Sequence, residues 1–182
     1  MPKQSAGLLV FRRVNGALEV LLAHPGGPFW AKKDDGAWSI PKGEPDPGED
    51  LLTAARREFF EETSLRPEGD FIELRPIKQQ GGKTVAAWAV ECDLDTRTFR
   101  SNTFSLEWPP RSGKRIEVPE VDRLAWFEWP VAMQKILGGQ KPLVAQLLER
   151  LGIRHAVSVP GGADGRNPSP TGARAPGRVR RR

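Results

Sequence analysis

Tyrosine is absent from the 182 residues, cysteine occurs once, and histidine and methionine occur twice each. With Cys92 alone, no disulfide can close within the chain and no set of thiolates can cage a metal. His24 and His155 share no spacing that suggests a ligand pair. No apolar run approaches the roughly 20 residues that cross a bilayer as a helix. The opening residues, 1–7, lack the charged head and apolar middle of a signal peptide. These absences lead to the expectation of a soluble, reduced, cytoplasmic protein with no membrane contact.

The positive charge is unevenly placed. The net charge is +5, and residues 156–182 hold six arginines against the single acid Asp164. Residues 1–155 therefore carry 22 basic and 22 acidic side chains and are neutral overall. The expected organisation is one domain over 1–155 followed by a basic tail over 156–182. The tail is rich in Pro, Gly and Arg, has little to bury and reads as disordered. A neutral domain lacks the clustered positive surface that a nucleic acid requires, so no specific nucleic-acid partner is expected. Nothing in the sequence implies an obligate protein partner.

Apolar runs at 5–13 and 18–23 flank Asn15-Gly16, a strong hairpin signal because both residues tolerate positive φ. A proline- and glycine-bearing loop follows over 24–37, then a strand stub at 38–40 that Pro41-Lys42-Gly43 ends. Residues 50–62 contain no Pro or Gly, and Leu52, Ala55 and Phe59 recur at helical spacing. Further strands are expected at 71–74, 77–80, 83–91 and 124–128. A loop carrying Trp108, Pro109, Pro110 and Gly113 precedes the last of them. Helices are expected at 131–137 and 142–151, the second with Leu143, Val144, Leu147, Leu148 and Leu151 on one face. This order predicts an α+β fold, with a mixed sheet between helices, rather than a doubly wound parallel sheet.

The chemistry concentrates around residues 43–65. On the helix, Glu58, Glu61 and Glu62 fall within about 100° of arc and about 6 Å of axis. Like charges this close repel, and the C-terminal end of a helix disfavours anions. A hard divalent cation removes both penalties, because carboxylate oxygens are the donors it prefers. A plain solvated acidic face is the other reading of three glutamates alone.

The whole segment resembles the Nudix box. Gly43, Glu49, Arg57, Glu58, the apolar Phe59, Glu61, Glu62 and the apolar Leu65 stand at the spacings of that motif. The one departure is Ser64, where the box has its last glycine at a turn that suits left-handed backbone. The resemblance implies the Nudix fold: a mixed β-sheet sandwiched between α-helices, with the box as a catalytic loop-helix-loop. It also implies metal-dependent hydrolysis of a pyrophosphate bond in a nucleoside diphosphate linked to another group, with Mg2+ or Mn2+ as cofactor.

Carried over by position, Glu58 and Glu62 are the implied principal metal ligands, with Glu61 assisting and the Gly43 carbonyl contributing. Glu49 is implied to pair with Arg57 and hold the helix carboxylates in place. The implied general base is either a box glutamate, Glu58 or Glu61, or a later glutamate that is also a candidate ligand, from Glu107, Glu117 and Glu120, of which Glu120 is favoured by its spacing to Trp126. Trp38-Ser39-Ile40-Pro41-Lys42-Gly43 resembles the lead-in of the diadenosine-polyphosphate branch, so Lys42 is expected to meet a phosphate chain. Lys32, Lys33, Arg111, Lys114 and Arg115 are further candidates for phosphate contacts.

Six tryptophans offer flat faces for a base. Trp30, Trp38 and Trp108 stand beside loops and are the expected substrate platforms. Trp88 is expected in the core, and Trp126 and Trp129 between the sheet and the C-terminal helices. The resulting expectation is a hydrolase of nucleoside triphosphates or dinucleoside polyphosphates, with asymmetric cleavage of diadenosine tetraphosphate foremost. A nucleoside-diphosphate-sugar or ADP-ribose pyrophosphatase is the alternative enzyme. A nucleotide-binding regulator without turnover is the alternative of another class, and RNA 5′-end hydrolysis ranks below these.

Overall fold

The structure is a computed structural model that describes residues 3–79 and 81–154. The expected disordered tail and His155 lie outside the described residues. Among the described residues, eight strands and three α-helices form in the order β1 (Gln4–Val14), β2 (Ala17–Pro25), β3 (Lys42–Gly43), α1 (Leu51–Thr63), β4 (Ile72–Lys78), β5 (Thr84–Glu91), β6 (Thr103–Glu107), β7 (Arg115–Pro119), β8 (Val121–Glu128), α2 (Trp129–Lys135) and α3 (Lys141–Arg150).

The main sheet has the order β4-β5-β1-β2-β8, with β3 added against β1. β1 runs parallel to β5 and antiparallel to β2, so the sheet is mixed. The β1–β2 turn has both Asn15 and Gly16 at positive φ, as the Asn-Gly pair demands. The two strands then part. Their pairing covers Phe11↔Val20 through Val14↔Ala17, and residues 39–43 enter the gap between them. That segment bonds to β2 at Ala23↔Ser39 and to β1 at Ala6↔Gly43. The insertion requires Gly7, since a Cβ there would lie 2.6 Å from the Lys42 Cβ and 2.7 Å from the Pro41 carbonyl oxygen.

Alternation along β1 separates two cores. Leu9 and Phe11 join Val20, Leu22, Leu143, Val144, Leu147 and Leu148 beneath α2 and α3. Leu8 and Val10 join Leu21, Ala54, Ala55 and Phe59 beneath α1. The sheet is thus sandwiched between helices, as expected for an α+β chain of this type. Ala54 and Ala55 let α1 approach the strands closely, and fully buried Phe59 anchors it. Truncating an aromatic of that kind costs about 3–5 kcal/mol.

The expected helix at 50–62 forms one residue later, because the Asp50 side chain accepts from the Thr53 N–H and caps it. Three expectations are corrected. The strands at 71–74 and 77–80 are one strand, β4, with an irregularity between Leu74 and Ile77. The segment expected to end a strand at 41–43 itself forms β3. The loop around Trp108 is the tip of a β6–β7 hairpin, whose register runs from Thr103↔Pro119 to Glu107↔Arg115.

Candidate active site

Three segments carry the carboxylates into one neighbourhood: β3 and the loop after it, the C-terminal half of α1, and the junction of β7 with β8. Pairing of β3 to β1 presents Gly43 beneath α1. A Cβ on Gly43 would lie 1.9 Å from Glu58 Oε2 and 2.0 Å from its carboxyl carbon. The Glu58 carboxylate therefore occupies the space that glycine leaves free. Glu62, one turn further along, accepts the backbone N–H of Lys42 at 3.3 Å.

Arg57 holds the cluster together. Its guanidinium donates from Nε and Nη2 to the two Glu49 carboxylate oxygens at 3.0 and 2.8 Å, a bidentate fork. Nη1 donates to Glu58 at 2.8 Å and reaches Glu61 at 3.3 Å, and Nη2 also donates to the Glu44 carbonyl oxygen at 3.1 Å. The Arg57 bonds hold the Glu49 carboxyl down at about 2, well below the ordinary carboxylate range. The same bonds, that to Glu49 foremost, raise the guanidinium above its ordinary value.

One arginine cannot neutralise four acids. Burial, opposed by Lys42 and reinforced by Glu120, pushes the Glu62 carboxyl up to about 8. Burial, followed by repulsion from Glu58 and Glu61, also raises the Glu120 carboxyl. Glu120 is therefore within electrostatic reach of all three helix glutamates. It arrives there because the Glu120 N–H donates to the Asn102 carbonyl at 2.9 Å, while the Asn102 N–H donates to the Glu61 carbonyl at 3.3 Å. Glu107 instead accepts from the Gly113 N–H at the hairpin tip, and Glu117 lies opposite Ser105 along the hairpin.

The set suits a hard divalent cation. Its donors are all oxygens, it carries more negative charge than Arg57 and Lys42 offset, and the Gly43 cradle leaves room for the Glu58 carboxylate. Among the described residues, no three carboxylates are already drawn into a closed cage. Glu58 and Glu61 turn toward Arg57, the nearest positive charge.

Lys42 is largely sheltered, and burial lowers its ammonium against the pull of Glu62 and Glu58. Lys83, which the sequence alone did not single out, is felt at Lys42 and bonds Glu44 at 3.0 Å. Its bonded partner, Glu44, is 39 positions away in sequence, just after β3.

The tryptophans divide. Trp38 is 3% exposed, edge-on to His24 and Phe127, and its Nε1 donates to Asp34 at 2.8 Å. It is a core residue, and neither of its faces is open to a base. Trp30 is half-buried against the α2–α3 core and meets Phe29 edge-on. Trp108 stands at the far end of the hairpin from Glu120, where its N–H donates to the Lys114 carbonyl. Trp88 is partly buried on the α1 side. Trp129 packs against the α2–α3 core as expected. Trp126 is corrected: it lies on the α1 side of the sheet, under the Arg12 guanidinium.

Ser64 adopts the left-handed conformation that the box glycine would take, with φ 58° and ψ 14°. Its N–H donates to the Phe60 carbonyl and its hydroxyl to the Arg100 carbonyl at 3.0 Å. The buried His24 is a second finding beyond the sequence reading. Its Nδ1 lies 2.7 Å from Asp122 Oδ1 and its Nε2 lies 2.8 Å from the Lys33 carbonyl oxygen. This ties the loop after β2 to the strand that follows Glu120.

Comparison with known proteins agrees with this geometry. The family model of the NUDIX domain matches residues 1–147. The asymmetrical bis(5′-nucleosyl)-tetraphosphatase of Rattus norvegicus is 34% identical over 145 residues, which cover 70% of this chain and 88% of that protein. The protein of the same name from Mus musculus is 35% identical over 105 residues, covering 50% of this chain and 66% of its own length. The crystal structure of a C. elegans Ap4A hydrolase binary complex superposes with a TM-score of 0.58 at 22% identity, covering 82% of this chain and 98% of that one. No helix among the described residues is long and apolar enough to cross a membrane. With the motif, its geometry and the fold in agreement, the chain belongs to the NUDIX family.

Proposed function

We propose that this Nudix protein is a divalent-cation-dependent pyrophosphohydrolase of dinucleoside polyphosphates, with asymmetric cleavage of diadenosine tetraphosphate as its reaction. Nucleoside triphosphates are the nearest alternative substrates. The observation that carries the reading is the gathering of Glu58, Glu61, Glu62 and Glu120 beside the sheltered Lys42. The likeness to tetraphosphatases supports the choice of substrate.

Glu58 and Glu62, with Glu61, Glu120 and the Gly43 carbonyl, would hold Mg2+ or Mn2+. A bound cation would supply charge neutralisation at phosphate oxygens and acidification of water. Glu49 and Arg57 are positioning residues, since the bidentate pair fixes the rotamers from which Glu58 and Glu61 reach the site. Glu120, whose carboxyl is raised by burial and then by repulsion from Glu58 and Glu61, would take the proton of the attacking water. Lys42 binds phosphate as a point charge, and its low hydration makes that contact stronger than on an open surface.

A binding-only regulator has less support, because Ser64 completes its turn with both polar groups bonded. The test is a Mg2+-dependent product assay across diadenosine tetraphosphate, ATP, ADP-ribose, a nucleoside-diphosphate sugar and 5′-triphosphorylated RNA. Wild type should yield ATP and AMP from diadenosine tetraphosphate, and Glu62→Gln should abolish it. Tight nucleotide binding without turnover by wild type would refute the enzyme. Faster turnover of ADP-ribose would refute the substrate.

A further inference from the structure

We infer that the apolar face of the β6–β7 hairpin, together with Phe29, seats the second nucleobase of a dinucleoside polyphosphate. This inference rests on the substrate reading above and adds the residues that distinguish two-nucleoside substrates from one-nucleoside substrates.

Among the described residues five large apolar side chains are exposed, and three of them, Phe29 (61%), Phe104 (41%) and Ile116 (37%), lie on the hairpin or the loop docked to it. The register places Phe104 and Ile116 on one face of the hairpin. Phe104 faces Val118 and Leu106 faces Ile116, and directly opposed residues of an antiparallel pair share a face. One side of the hairpin is thus apolar. The other side carries Thr103, Ser105, Glu107, Arg115 and Glu117.

Only part of that apolar side is covered. The loop after β2 docks on it where the Gly26 N–H donates to the Glu120 carbonyl at 3.0 Å. At Gly26 a Cβ would meet the Pro119 carbonyl oxygen at 2.0 Å, and at Gly27 one would lie 3.8–3.9 Å from Val118 and Leu106. A tight turn follows, in which the Trp30 N–H donates to the Gly27 carbonyl, and it presents Phe29. Val118 is buried by this contact, whereas Phe104 and Ile116 remain open.

The patch is continuous with the candidate active site. The strand that ends the hairpin runs directly into Glu120, and Asn102 at its start is bonded to the catalytic helix at Glu61. Five residue pairs extend about 17 Å from that junction, so the patch flanks the path of a phosphate chain leaving the carboxylates. Lys33 lies over the Phe29 ring at 3.5 Å and the Trp30 ring at 4.6 Å, and it has no carboxylate partner among the described residues. An apolar surface edged by a cation without a carboxylate partner suits a flat aromatic group attached to phosphate. A mononucleotide bound at the carboxylates would leave this surface bare, whereas a dinucleotide has a second base to cover it.

Stacking on one aromatic ring changes affinity by about 5- to 150-fold. The test compares kcat and KM for diadenosine tetraphosphate and for adenosine 5′-tetraphosphate, which has the same phosphate chain and one nucleoside. Wild type should show the lower KM for the dinucleotide. Phe29→Ala and Phe104→Ala should each raise that KM about tenfold, with kcat within twofold and adenosine tetraphosphate unchanged. Phe29→Trp should keep the wild-type KM. Both phenylalanines are exposed, and thermal melts should confirm folding. Equal effects on the two substrates, or none on either, would overturn the inference while leaving the proposed hydrolysis standing. If wild type cleaves neither substrate, the proposed function fails and the inference falls with it. A dimer seen by light scattering and lost in the alanine variants would assign the patch to a second copy and overturn the inference.

Discussion

The contact between Gly43 and Glu58 allows loss of activity to be separated from loss of stability. In Gly43→Ala the new methyl would begin 1.9 Å from Glu58 Oε2, inside the roughly 3 Å limit of real Cβ contacts. The obstruction is the far end of a flexible side chain, and Gly43 is not at positive φ. The backbone can therefore remain in place while the Glu58 carboxylate retreats by about 1 Å. A displacement of that size at a reacting centre costs on the order of 100-fold in rate, about 2.7 kcal/mol of barrier. Stability should change by less than about 1 kcal/mol, or about 3 °C in Tm for a chain of this length. Steady-state kinetics with Mg2+ and a thermal melt on the same preparation measure both quantities. A Gly43→Ala enzyme with wild-type kcat/KM would refute the placement of Glu58 at the chemistry. Collapse of the fold would refute the argument that only a side chain must yield.

Glu62 makes cation-free stability depend on pH. Its folded-state pKa, about 8, lies above the ordinary carboxylate value, so the folded state retains a proton that the unfolded chain has lost. Stability without cations should therefore fall as pH rises from about 4.5 to 8. Glu62→Gln should flatten that slope in thermal melts, and Mg2+ should restore wild-type Tm at pH 8. At Ser64, the change to Ala keeps the left-handed backbone but removes the bond to Arg100, and should cost about 0.5–1 kcal/mol in denaturant melts. Ser64→Gly trades that bond for relief of backbone cost and should fall within about 0.5 kcal/mol of wild type. Removing residues 156–182 should leave kcat unchanged, because the domain balances its own charge; a large fall would place the tail at the site.

Local signals served the sequence reading well. The Asn15-Gly16 turn, the capped helix and the apolar stripe of α3 each depend on residues within a few positions of one another. The hairpin at 103–119 is not legible in the sequence for the opposite reason. Pro109, Pro110 and Gly113 at its tip read as loop, and its apolar face is too short and too exposed to show a core-strand pattern. Trp38 stands beside a loop in sequence, and that position says nothing about the depth of the segment that fills the gap between β1 and β2. Lys83 and the His24–Asp122 pair are invisible in the sequence because their partners lie 39 and 98 positions away.

Read alone, the sequence determined the family, the helix that bears the glutamates and the expectation of a cation, because motif spacing is a property of neighbouring residues. It also located the net charge of +5 in residues 156–182 and left residues 1–155 neutral. Tertiary structure decided which later glutamate lies near the helix glutamates, which tryptophans are buried, and how glycine at 43 makes room for the Glu58 carboxylate. These are outcomes of strand pairing and burial between distant segments. Which residues become neighbours depends on how the sheet closes, and burial then sets the protonation of the carboxylates it brings together.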